Sequence, residues 1–98
     1  MGDMRFEVPF RFLKRDIYDG NNLKESFRVY WDFGAAALKR GALTAHFAKL
    51  KEIDATKWED IYKITSNFEE EMWNDDLHED EVFARYLCYL DTNDDEDM

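Results

Sequence analysis

Apolar and polar residues alternate near the start of the chain, where Met4, Phe6, Val8, Phe10 and Phe12 are separated by Arg5, Glu7, Pro9 and Arg11. A period of two puts one set of side chains on one face, so a half-buried strand is expected over about residues 4–13. Pro9 has no N–H to offer a ladder, so that strand is expected at a sheet edge or with the proline's N–H position turned outward. The run Asp19-Gly20-Asn21-Asn22 then breaks regular structure. Beyond it Phe27, Val29, Trp31 and Phe33 alternate with Arg28, Tyr30 and Asp32, a β-rich set that predicts a second strand over about 25–33, pairing back on the first. The competing pattern is helical. Asn22 and Glu25 have capping-box spacing, and Lys24, Arg28, Asp32, Ala35 and Lys39 share one polar stripe, which would make 22–40 a helix and the protein mainly α. The strand is preferred because the first strand otherwise lacks a partner.

Helical spacing dominates the rest. Ala35-Ala36-Ala37-Leu38 followed by Leu43, Phe47, Leu50 and Ile53 predicts a helix over about 35–53, with Gly41 as its weak point. Thr56 and Glu59 form a capping box for a helix over about 56–73, whose inward face is Trp58, Ile61, Tyr62, Thr65, Phe68 and Met72. A last helix over about 77–90 turns Val82, Phe83, Tyr86, Leu87 and Leu90 inward and sets Glu79, Asp80 and Glu81 in its first turn, where the helix dipole favours carboxylates. The expectation is therefore an α+β fold, an N-terminal β-hairpin followed by three helices. It forms a single globular domain over 1–90, with 91–98 an acidic disordered tail.

Composition agrees with a folded chain. At 98 residues there is room for one small core. Aromatics at 16% exceed what a disordered acidic protein carries. Cys88 is the only cysteine, so no internal disulfide is expected; its apolar neighbours predict a small buried hydrophobe and a reducing, cytoplasmic setting. Charges at Asp3, Arg5 and Glu7 argue against a signal peptide, and no window approaches the ~18 apolar residues of a membrane span.

Charge changes the picture more. Residues 1–63 hold 12 basic and 10 acidic side chains, a net of +2, whereas 64–98 hold Arg85 alone against 13 acids, a net of −12. Direct contact with nucleic acid or an anionic membrane is disfavoured for that last third. Solvation and helix-dipole effects account for Glu79, Asp80 and Glu81, but not for so few bases among so many acids, since like charges one turn apart are destabilising. Carboxylates three or four residues apart on a helix stand roughly 5–6 Å apart at Cβ, a spacing comparable to that of phosphates along a nucleic-acid strand. The expected partner-binding residues are Glu70, Asp75, Asp76, Glu79 and Asp80, with Trp73 as an aromatic anchor where it stands exposed one step off the Phe68/Met72 line, the competing expectation being that it closes the core at the helix end.

Such a surface predicts a small acidic protein that occludes a basic partner surface, in particular that of a nucleic-acid-binding enzyme, in the manner of a phage-encoded DNA-mimic inhibitor of restriction or CRISPR enzymes. Two alternatives share the charge pattern. One is an immunity protein or antitoxin against a basic nuclease toxin; the other is a phage assembly chaperone or homo-oligomeric structural protein docking through Arg5, Arg11, Lys14, Arg15 and Arg28. No cofactor or metal is expected. Asp91, Asn93, Asp95 and Asp97 alternate like the start of a calcium loop, but Glu96 stands where that loop needs Gly and no closing Glu follows. His46 and His78 lack zinc spacing. Neither a nucleophile elbow nor a phosphate-cradling glycine loop is present, and the acids crowd one open surface, so the chain is not expected to be an enzyme.

Overall fold

A computed structural model describes residues 4–74 and 76–95 and gives an antiparallel hairpin followed by five helices. The strands are β1 (Arg5–Phe12) and β2 (Arg15–Asp19); the helices are α1 (Gly20–Val29), α2 (Trp31–Lys39), α3 (Ala42–Ile53), α4 (Ala55–Met72) and α5 (Glu79–Asp95). The α+β class and the first strand match the expectation. The second strand lies at 15–19, not 25–33, and there are five helices where three were expected.

The misplaced strand has a local cause. Phe12 pairs with Arg15, so the hairpin turns on Leu13 and Lys14, whose φ values of 50° and 66° are both left-handed. Such turns ordinarily carry Asn-Gly, and Leu-Lys gives no sign of one. The residues that do look like a turn, Asp19 to Asn22, instead begin α1, where the Asp19 carboxylate accepts the Asn22 backbone N–H at 2.8 Å. Residues 20–39 are thus helical, as in the competing reading, but with a break at Tyr30. Pro9 falls where β1 pairing is irregular, between the Arg5–Asp19 and Phe10–Ile17 partners, so its missing N–H breaks no ladder bond.

Other boundaries move for similar reasons. Gly41 adopts φ 84° and divides the expected 35–53 helix into α2 and α3. α4 is capped by Asp54, which accepts the Lys57 N–H at 3.2 Å, rather than by the Thr56/Glu59 pair. α5 starts two residues later than expected and continues to Asp95, so Asp91 belongs to a helix rather than to a tail; residues 96–98 lie outside the described residues. Cys88 is exposed on α5 rather than buried.

Packing centres on α2. This short helix touches α1, α3, α4 and α5, and it buries Gly34, Ala35, Ala37 and Leu38. A Cβ at Gly34 would lie 2.7 Å from Phe83 Cζ and 2.9 Å from Phe27 Cδ1, so the absence of a side chain lets rings from α1 and α5 meet over α2. Those rings have centroids 5.5 Å apart. On the opposite side Phe6 of β1 contacts His46, Phe47 and Trp58, joining the hairpin to α3 and α4. The Thr65 and Tyr86 hydroxyls pair at 2.9 Å between α4 and α5; burial pushes the Tyr86 hydroxyl above its usual range, although the Thr65 bond pulls the other way.

His46 is buried among Phe6, Phe10 and Phe47, and its Nε2 has no hydrogen-bond partner among the described residues. Burial, aided by the Lys49 charge, lowers it from 6.5 to about 4.

Two predictions test this core. Replacing Gly34 with Ala favours an isolated helix by about 0.8–1.0 kcal/mol, but overpacking costs about 1–3 kcal/mol; urea titration should show a net loss of up to about 2 kcal/mol, and a gain would contradict the close packing. For His46 the folded pKa lies below the unfolded one, so its contribution is complete above pH 6.5 and is lost as pH falls toward 4. Between pH 7 and 5 stability should drop by about 2 kcal/mol, and His46→Leu should flatten that slope; an unchanged slope would contradict the assignment.

Candidate binding surface

The acidic third does not stand apart from the rest of the chain. The Glu79 carboxylate accepts the Lys39 ammonium, and Asp80 Oδ1 accepts Trp31 Nε1–H at 2.9 Å, so the start of α5 is tied to both ends of α2. Farther along α5, Asp91 lies 3.1 Å from Lys24 Nζ and 2.6 Å from an Arg28 amino nitrogen, both on α1. Burial alone would raise the Asp91 carboxyl, but the Lys24 hydrogen bond and the Arg28 charge outweigh it and hold it below the usual carboxylate range. Arg85, the one base of the last third, reaches Glu71 on α4 at 3.2 Å. The lopsided charge is therefore partly a fastening: bases of α1 and α2 meet acids of α5.

Of the residues expected to bind a partner, Glu79 and Asp80 are thus engaged within the fold, and Asp75 lies outside the described residues. Glu70 and Asp76 are exposed and form no ion pair among the described residues, as does Glu81, which the sequence reading assigned only to the helix dipole. The Asp76 backbone N–H is held by Asn74 Oδ1 at 3.0 Å, which shapes the turn between α4 and α5.

Trp73 ends α4 and is 64% exposed, yet it is not loose. Its Nε1–H donates to the Lys39 carbonyl at 2.8 Å, and the Lys39 ammonium sits 4.6 Å from its ring centroid. Lys39 thus both steadies the indole and neutralises Glu79. The expected anchor is exposed and held in one orientation.

The structure adds a feature the sequence reading missed. At the elbow between α1 and α2, Val29 is 66%, Tyr30 38% and Phe33 58% exposed. Two shallow clefts, of about 320 and 250 Å³, meet there and share Val29 and Tyr30. As strand residues, Phe27, Val29, Trp31 and Phe33 would all face one core. On helices, Phe27 is buried with Leu23 while Val29 and Phe33 point away. A helical reading of 22–40 would have found them.

Other chemistry gains no site. Among the described residues no group of three His, Cys, Asp or Glu side chains is placed to hold a metal ion, and no helix is long and apolar enough to cross a membrane.

The acids therefore divide by role, and the division is measurable. Glu79→Gln and Asp80→Asn should each lower stability by about 0.5–1 kcal/mol, with the Glu79 effect shrinking in 1 M NaCl. Glu70→Gln and Glu81→Gln should be neutral or slightly stabilising, because like-charge repulsion falls. Equal effects at all four positions in urea titrations would contradict the division. No protein-family model, curated protein or solved structure matches the chain.

Proposed function

We propose that the protein is a non-catalytic binding module that lays an acidic surface with an aromatic anchor against a basic partner surface, that of a nucleic-acid-binding enzyme, and blocks it by occupation. The observation that carries this reading is Trp73: a large indole, mostly exposed and fixed by a backbone carbonyl, at the end of the helix that bears the exposed Glu70 and shortly before the exposed Asp76 and Glu81 in the chain. A tryptophan already held in place loses little freedom on binding, and such residues dominate interface energetics. Unpaired carboxylates at Glu70, Asp76 and Glu81 favour a cationic partner and speed encounter. Carboxylates already neutralised, such as Glu79, add little to that field, so the effective charge is smaller than the sequence count implies.

The experiment is capture of basic proteins on the immobilised chain, with stepwise NaCl elution and with excess double-stranded DNA or RNA as competitor. The expected partner is released between roughly 0.1 and 0.5 M salt, as screening lengths fall from about 10 Å toward 3 Å, and is displaced by nucleic acid. Trp73→Ala should weaken it by at least about tenfold. Binding that ignores both salt and nucleic acid contradicts the proposal. A captured nuclease toxin would identify the basic surface as that of a toxin, and the protein as its immunity partner.

A further inference from the structure

We infer that the α1–α2 elbow is a docking site for an amphipathic, cationic helix, its apolar side chains resting on Val29, Tyr30 and Phe33. This rests on the reading that the partner is basic and specifies which element of the partner makes contact. The three side chains are exposed, adjacent, and contributed by two helices that change direction at Tyr30, which leaves a cleft on each side of the bend. A surface helix ordinarily turns such residues inward. Here the inward positions are already filled by Leu23, Phe27, Ala35 and Leu38, which leaves most of Val29 and Phe33 uncovered.

Charge names the occupant. Glu25 lines the first cleft and Asp32 the second, both exposed and neither in an ion pair among the described residues. Asp80 accepts a hydrogen bond from Trp31, which also lines the second cleft. Of the bases nearby, Lys24 and Arg28 share Asp91, and Arg15 lines the first cleft with Glu25, so the excess of acid lies on the side of the second cleft, at Asp32. An apolar centre with an acidic rim fits a helix carrying apolar side chains at i, i+3 and i+4 and Lys or Arg on their flanks. A second copy of this chain, with its own net charge of −10, fits it less well.

The test uses two probes on the intact chain: an 18-residue Leu/Lys amphipathic helical peptide, and oligolysine of equal charge without an apolar face. Intrinsic Trp fluorescence is the readout, and circular dichroism checks folding. The wild-type chain should prefer the amphipathic peptide by about tenfold or more and retain part of that binding at high salt, where ion pairing is screened. Phe33→Ser should erase the preference and leave oligolysine binding unchanged; Val29→Ser, at an equally exposed position, should do the same if Phe33→Ser folds poorly. Equal binding of both peptides, or an amphipathic preference that survives both substitutions, overturns the inference while leaving the basic-partner reading in place. If neither peptide binds, that reading fails as well. A wild-type dimer in sedimentation that Phe33→Ser dissociates also overturns it, because the occupant would then be a second copy.

Discussion

Phe27 of α1 and Phe83 of α5 converge on the one position of α2 that has no side chain. Because Gly34 presents only backbone there, the short helix lies close beneath both rings, and everything nearby inherits its position from that contact. Helix propensity works against a glycine at a helix interior by about 1 kcal/mol. Dispersion and burial from two fully covered aromatic rings exceed it. With α2 fixed in the middle of the helices, its ends have defined neighbours. Trp31 at one end reaches Asp80, and Lys39 at the other reaches Glu79 and Trp73.

The charge distribution follows from the same arrangement. Lys24, Arg28 and Lys39 come early in the chain, where acids and bases are nearly balanced, and Glu79 and Asp91 come from the acidic third; folding brings them together. Partly exposed pairs of this kind contribute little individually, about 0.2–1 kcal/mol. They nonetheless select one placement of α5 on α1 and α2, because any other leaves a row of carboxylates without counter-charge. Among the described residues, Glu70, Asp76, Glu81, Glu25 and Asp32 are exposed acids that form no ion pair, as are Glu52 on α3 and Asp60 on α4.

The sequence made the long elements and much of the core legible, because period-two and helical spacing are strong where one face is buried. Phe6, Phe10 and Phe12 face inward as the alternation required, and Trp58, Ile61, Thr65 and Met72 line α4. Residues 13–33 were illegible for opposite reasons at the two ends. A Leu-Lys hairpin turn carries no turn chemistry, while Asp19-Gly20-Asn21-Asn22 carries it and serves as a helix start instead. Within that region the alternation of Phe27, Val29, Trp31 and Phe33 coincides with a strand pattern, although its members lie on two helices and point in different directions. For the candidate site, the charge of Glu70 and Asp76 was readable, but the exposure of Trp73 was not, because a position one step off the Phe68/Met72 line equally suits an indole that closes the core. The engagement of Glu79 and Asp80 was not readable either, because their partners lie about 40 and 49 residues away in the chain and only tertiary packing brings them within reach.

α2 carries the elbow at one end and the Lys39–Trp73 contact at the other, so a ligand seated at the elbow should also be sensed at Trp73. Amide chemical-shift mapping during titration with the amphipathic cationic peptide tests it most directly. Shifts should cluster at Val29, Tyr30, Asp32 and Phe33 and extend to Glu70, Trp73, Asp76 and Glu81, while β1 and α3 stay unperturbed. Shifts centred instead on the cleft between Val8, Lys49 and His46, or scattered evenly over the helices, would contradict it.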